Sequence, residues 1–539
     1  MHRPGTSYAR HADDLDGEVY DVVVIGSGIG GLTAAVLLAK HAGKRVLVLE
    51  QHYVAGGFTH SFARPGYDWD VGIHYLGAEL LREGHPTKRL FDEVTGGEVA
   101  FEEMGEVYDR IVIGDDVYDY VTGLTAWKEQ MGEYFPAERA GIDRYVELVK
   151  QVSATSRTYF ASKALPSGTP TIASSRLRRD FLALSRRSTA DVLAEVTDDT
   201  RLRAVLAGQY GDYGLPPKQS SFAIHAMVTN HYWRGAVYPV GGASTIPAAA
   251  ERVLEAHGGR ILVGAAVTEI MVRRGKAVGV RMADGREITA SQVVSNAGAF
   301  VTVDLLPDEV RAEHGLDRQL GTVERSVSHL TLYLGLDATD EKLGLTRPNL
   351  WLYPSEDHDA NIEAFVADPD AAPLPLVYAS FPSAKDPDFA NRHPGHSTID
   401  VITLAKHEWF AQWDGTRWQR RGDEYEERKA SFTERLLDTL EPWVPALRDH
   451  IDVAELSTPL TTSHFAGFAQ GELYGIAHDP GRFDQAWLRP RTPVDGLWLT
   501  GADVVTAGVV GGLMGGALTA GAMAGPQILA KGLRSKLPF

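Results

Sequence analysis

His74-Tyr75 and His231-Tyr232 each place an imidazole beside a phenol, and Tyr238, His464 and Tyr474 add three further rings in polar and aromatic surroundings. Imidazole titrates near neutrality and phenol can relay a proton, so these residues are the candidates for acid–base work. Each ring taken alone has a plainer reading, as the lining of an apolar channel. Which role applies depends on what the neighbouring elements hold beside them.

The N-terminal segment defines one such element. Val22 to Ile25 is a short apolar, β-branched run, as expected of a buried parallel strand. Gly26-x-Gly28-x-x-Gly31 follows, with Gly30 in the same turn, and then Leu32 to Ala42 at helical spacing. Gly43 ends the helix, and Val46 to Leu49 form a second strand that delivers Glu50 and Gln51. Gly26 allows the tight turn, Gly28 lets a pyrophosphate approach, and Gly31 lets helix and strand pack closely. The helix N-terminus offers N–H groups and partial positive charge to phosphates. Glu50 lies about 20 residues after the glycines, the separation at which a carboxylate meets ribose hydroxyls. This is a Rossmann-type dinucleotide fingerprint in its proper context.

Composition excludes other chemistries. The 539 residues include 53 basic and 71 acidic ones, a net charge of −18, which argues against a nucleic-acid partner. There is no cysteine, so disulfides, thiolate metal sites and iron–sulfur clusters are excluded, and no metal site is expected. The first 20 residues are polar, with Asp13, Asp14 and Asp16, and carry no apolar signal core. A cytoplasmic protein is expected. Residues 497–525 are long and apolar enough to suggest a membrane span, but Asp503 and many glycines favour a buried helix of small residues.

The fingerprint alone does not separate FAD from NAD. Ala55-Gly56-Gly57, soon after Glu50, resembles the double glycine of flavoproteins of the phytoene desaturase and amine oxidase type. "GLWLTGAD", with Gly501 and Asp503, and the following helix with Gly511 and Gly512 resemble their C-terminal FAD segment. Three longer blocks are more specific: "VLEQHYVAGGFTHSFARPGYDWDVGIHYLG", the stretch containing "NHYWRGAVYPVGG", and "STPLTTSHFAGFAQGELYGIAHDPGRF". Together they resemble the retinol saturase and carotenoid isomerase branch of the phytoene desaturase superfamily. The chain departs from that pattern at Val240, where a basic residue is common, and at Phe58-Thr59, where some members have cysteines.

The resemblance implies a discontinuous FAD domain of parallel and small antiparallel sheets, over 18–105, 236–300 and 480–535. A mixed α+β substrate domain would occupy 106–235 and 301–479, with 1–17 a polar arm. It places Val267 near adenine, Asn296 on the strand returning to the nucleotide, and Asp503 by the ribityl or pyrophosphate. Within 258–298 the residues alternate like antiparallel strands, with a turn at Asp284-Gly285.

The implied activity is FAD-dependent oxidation or reduction at C=C or CH–CH bonds of a long apolar polyene or isoprenoid lipid, with saturation favoured. Burying several hundred Å² of such a chain at about 25 cal/mol per Å² gives on the order of 10 kcal/mol before binding costs. Desaturation and carotenoid cis–trans isomerisation are alternatives on the same scaffold. Amine oxidation and non-enzymatic prenyl-lipid binding are more distant ones. No second fingerprint serves NADPH, so the electron partner stays open among nicotinamide, quinone, O2 and a reductase. "RLRRDFLALSRR", 176–187, mixes arginines with Leu177, Phe181, Leu182 and Leu184, as an interfacial helix on anionic lipid would.

Overall fold

The computed structural model of the protein describes residues 4–15, 17–165 and 172–528. Parts of the expected arm (1–3 and 16), the 529–535 end of the expected FAD segment and the Arg176 and Leu177 side chains of the arginine-rich stretch lie outside the described residues.

β1 (Val19–Ile25), α1 (Ile29–Ala42) and β2 (Val46–Glu50) form the expected unit. β1 and β2 pair in parallel, Val22 with Val46 and Ile25 with Leu49. Every residue of β2 is buried, as a parallel strand covered on both faces requires. β3 (Glu287–Ser295) pairs in parallel with the other side of β1, and β4 (Leu497–Leu499) pairs with β3. The segment read as a buried helix rather than a membrane span is β4, a turn, and α2 (Gly508–Ala524). α2 packs along α1 so closely that a Cβ at Gly516 would collide with the carbonyl of Gly30. Among the described residues no helix is long and apolar enough to cross a membrane.

Two expectations change here. The strand Arg260–Val263 was expected in the antiparallel group, but it pairs in parallel with β2. Ile261, Leu262 and Val263 are all buried, so the strand has no solvent face to alternate with. Antiparallel pairing is confined to Val267–Arg273, Lys276–Met282 and the start of β3, with Gly285 at φ +86° in the predicted turn. The N-terminal arm also joins the fold. Thr6–Ser7 adds a parallel edge to Arg260–Val263, and the Tyr8 hydroxyl donates to Asp284 at 2.9 Å.

A second sheet of seven strands runs in the order Ile451–Ser457, Ser328–Leu336, Ser397–Ala405, Val377–Ser380, Asn349–Tyr353, Val107–Ile113, Asp116–Val121. Helices from Leu124 to Tyr232 pack beside it and bury a large aromatic and aliphatic core. The arginine-rich stretch lies on one of these helices, and its apolar face is internal. Phe181 stacks on Tyr159 at 4.4 Å, and both it and Leu184 are buried. The lipid-facing role expected of those two residues is therefore corrected, because the neighbouring helix Arg139–Lys163 takes that face.

Candidate active site

The nucleotide cradle is built at the C-terminal ends of β1, β2 and β3. Gly26 leaves β1 at φ +90°. The next residue, Ser27, donates to Glu50 Oε2 from its N–H at 2.9 Å and from its hydroxyl at 2.6 Å. The His52 N–H donates to Glu50 Oε1 at 2.9 Å, and the Gly56 N–H donates to Ser27 Oγ at 2.8 Å. Ser27 thus ties the carboxylate to the double glycine. A Cβ at Gly57 would stand 2.9 Å from Gly28 Cα, so two bare backbones share one wall. The Asn296 amide fills the space between Gly28, Gly30 and Gly501, where a Cβ on Gly28 would stand 2.7 Å from Nδ2. Both α1 and α2 begin without a side-chain cap, leaving their first N–H groups for a ligand.

Gln51, Val267, Asp503 and Gly512 complete this wall. Asp503 also ties segments together, accepting from the N–H of Ala299 at 2.7 Å and of Ile476 at 3.0 Å. Gly31 and Gly511 do not line the cavity. A Cβ on either would run into a backbone carbonyl, of Gly26 or Thr506, so their part is close packing. The cradle fits an extended dinucleotide: a carboxylate with an acceptor position to spare, bare glycine backbone, and two open helix N-termini.

The same cavity, about 720 Å³, continues past the cradle onto the second sheet. Trp351, Leu376, Tyr378, Ile402 and Leu404 make its wall apolar and aromatic, while His74, Asp212, His329 and Tyr474 add polar groups.

Of the rings singled out in the sequence, His74 and Tyr474 reach this cavity. His74 Nδ1 is 3.3 Å from Asp400 Oδ2, and the Tyr474 hydroxyl donates to the Gly211 carbonyl at 2.9 Å. The others do not line it. Nδ1 of His231 is 2.7 Å from Glu79 Oε1, and its Nε2 accepts from the Gly77 N–H at 2.8 Å, which makes it a brace. Tyr232 stacks on Tyr75 at 4.2 Å. The Tyr238 hydroxyl is engaged by buried Asp70, and His464 is exposed, stacked on Trp418. Tyr75 sits just behind the wall.

The structure adds buried carboxyl groups that no ring motif marks in the sequence. The Tyr75 hydroxyl lies 3.0 Å from both Asp109 Oδ2 and Asp212 Oδ2. Burial raises Asp109 to about 6, against the hydrogen bonds of Asn349, Gln209 and Tyr75. Burial, then the charge of Asp109, raises Asp212 to about 8. Asn349 links Asp109 to Lys385, which burial pulls down to about 7. Asp212 stands at the start of the block that contains "NHYWRGAVYPVGG", but nothing in its spacing marks it.

The profile of the family described as Flavin containing amine oxidoreductase matches residues 29–316. Over 528 residues the chain is 37% identical to the all-trans-retinol 13,14-reductase of Danio rerio, covering 94% of this chain and 86% of that one. The chain belongs to this flavoprotein family, on its retinol reductase branch. Prolycopene isomerase 2 of an Oncidium hybrid cultivar is a more distant relative, 26% identical over 85% of this chain and 76% of that one. Among solved structures, an oxidoreductase from Methanosarcina mazei superposes with a TM-score of 0.61 at 18% identity, covering 92% of this chain and 98% of that one, which shows the shared fold. As a member of this family the protein is an FAD-dependent oxidoreductase, and FAD is the dinucleotide that the cradle fits.

Proposed function

We propose that the protein saturates a C=C bond of a retinoid-like polyene. The observation that carries this is the continuity between the FAD cradle and an apolar, aromatic cavity, in a chain that aligns with retinol reductases over nearly its whole length. The cavity of about 720 Å³ takes in both the cradle and the aromatic wall, so dinucleotide and polyene would meet in one space. Bound FAD supplies the two-electron, hydride-transferring chemistry. The chain's own residues supply the rest: Glu50, braced by Ser27, and the glycine backbones hold the dinucleotide, and the aromatic wall excludes water and orients a conjugated chain. Tyr378 Oη and His329 Nδ1 are buried on this wall without a hydrogen-bond partner among the described residues, polar positions suited to a lipid with one polar end. The electron donor is proposed to bind transiently, since the chain has a single glycine fingerprint.

The test is anaerobic photoreduction of the flavin-loaded protein, followed by addition of all-trans-retinol, a C40 carotenoid or a polyunsaturated fatty acid. Loss of the reduced-flavin spectrum together with product two hydrogens heavier is expected with retinol. The resemblance to a prolycopene isomerase favours a second reading, isomerisation. A lipid that changes geometry at constant mass while the flavin stays reduced would replace saturation with that reading.

A further inference from the structure

The Tyr75 hydroxyl has one proton and two carboxyl oxygens at 3.0 Å, one from Asp109 and one from Asp212. It can donate to one of them. The other oxygen faces the phenol oxygen lone pair to lone pair unless that carboxyl carries a proton. Two adjacent buried carboxylates without a cation between them do not both ionise, and the Lys385 ammonium reaches Asp109 through Asn349 rather than by contact.

The surroundings decide which acid keeps the proton. Asp109 is fully buried and accepts from amides on both oxygens, Gln209 Nε2 to Oδ2 at 2.7 Å and Asn349 Nδ2 to Oδ1 at 2.7 Å. Such donors favour the ionised form. Asp212 receives no amide donor among the described residues and opens onto the cavity. The direction of the shifts agrees, with Asp212 held higher than Asp109.

We propose that Asp212 is the acid of the reaction, delivering the proton of this carboxyl pair to the polyene. The inference rests on the saturation reading above. Reducing a C=C bond adds a hydride to one carbon and a proton to its neighbour. The Asp212 O–H bond breaks, a C–H bond forms, and an Asp212 carboxylate remains; the hydride, with its electron pair, is what reduced FAD contributes. A solvent proton restores the acid. Tyr75 is a positioning residue: its one proton goes to Asp109 while Asp212 is neutral and can turn to Asp212 once that acid has given up its own, and its ring is held by the stacked Tyr232. Other groups around Asp212 are Tyr232, Tyr378 and Tyr474, and His231, which Glu79 engages.

Asp212→Asn in the flavin-loaded enzyme is the test. Asparagine keeps the size of the side chain and still offers an N–H to the Tyr75 oxygen. Flavin content and KM should hold, and kcat should fall roughly 10²–10⁴-fold, the usual worth of a positioned acid. Asp212→Glu should recover part of that loss. An infrared comparison gives a reading independent of turnover: a protonated-carboxyl C=O band near neutral pH that is larger in the wild type than in Asp212→Asn, buried Asp70 contributing to both. Wild-type kcat in Asp212→Asn, or identical carboxyl bands in the two proteins, overturns the proposal. If the wild type reduces no polyene, the saturation reading fails by itself. The infrared difference then still decides on the proton: its presence supports the pair and its absence overturns it.

Discussion

The FAD cradle and the substrate wall are two halves of one cavity built by opposite means. The cradle is mostly backbone: Gly26, Gly28, Gly30, Gly57 and Gly501 remove side chains, and Glu50, Gln51, Asn296 and Asp503 are among the few polar side chains that remain. The wall is mostly side chain, with Tyr378, Trp351, His74 and Asp212 carried on elements far apart in the chain. A backbone site tolerates almost no added atom, because the ligand replaces the missing Cβ. A side-chain site tolerates substitutions more gradually, and its chemistry depends on which protons its groups hold.

The sharpest test of that contrast is Gly28→Val. Its Cβ would stand 2.7 Å from Asn296 Nδ2, and its methyls would enter the space facing Gly57. FAD and all activity should be lost, while the far-ultraviolet circular dichroism stays that of the wild type. The flavin-to-protein absorbance ratio of the purified variant checks this. A fully flavinylated variant would show that the pyrophosphate does not pass this point.

The same contrast explains what could be read in advance. The turn at Gly26 to Gly31 and the acid at Glu50 follow from local rules that leave a fixed spacing, so the cradle was legible before the fold. The cavity wall follows no such spacing. His231 looked like Tyr474 in the sequence, yet one braces Glu79 and the Gly77 N–H while the other lines the cavity. Which face of a helix or strand points inward is set by packing partners that are distant in sequence. Asp109 and Asp212 meet only through Tyr75, and neither carries a motif of its own. The parallel pairing of Arg260–Val263 was missed for a related reason, because a four-residue buried strand has too little length to show its period.

A substitution of intermediate size separates bracing from chemistry. His231→Ala removes the partner of buried Glu79 and strands the Gly77 N–H. Leaving such groups unpaired costs about 2–4 kcal/mol. The urea midpoint should fall accordingly, while kcat per flavin-loaded molecule stays within about twofold of the wild type. If kcat instead collapses at unchanged stability, His231 belongs to the chemistry and its role as a brace is wrong.

The smallest effect reads the wall's protonation directly through stability. Asp212 keeps its proton up to about pH 8 in the native protein, raised first by burial and then by Asp109. In the unfolded chain it loses that proton near the ordinary aspartate value, about 4. Between those limits the unfolded state binds fewer protons, so unfolding becomes easier as pH rises. The slope cannot exceed one proton, about 1.4 kcal/mol per pH unit, and it vanishes above the native value. Asp109, raised to about 6, and Asp70, raised to about 7, add slopes of the same sign. Asp212→Asn removes this share, so the wild type should lag furthest behind the variant near pH 8 and close the gap as pH falls. Toward pH 6 the wild type should gain melting temperature faster than the variant. His231 and the facing tyrosines, Tyr75, Tyr232, Tyr378 and Tyr474, are common to both and cancel in the difference. Parallel melting curves from pH 6 to 8 would mean that Asp212 is already ionised in the native state. The proton between Tyr75 and the two acids would then have to reside on Asp109.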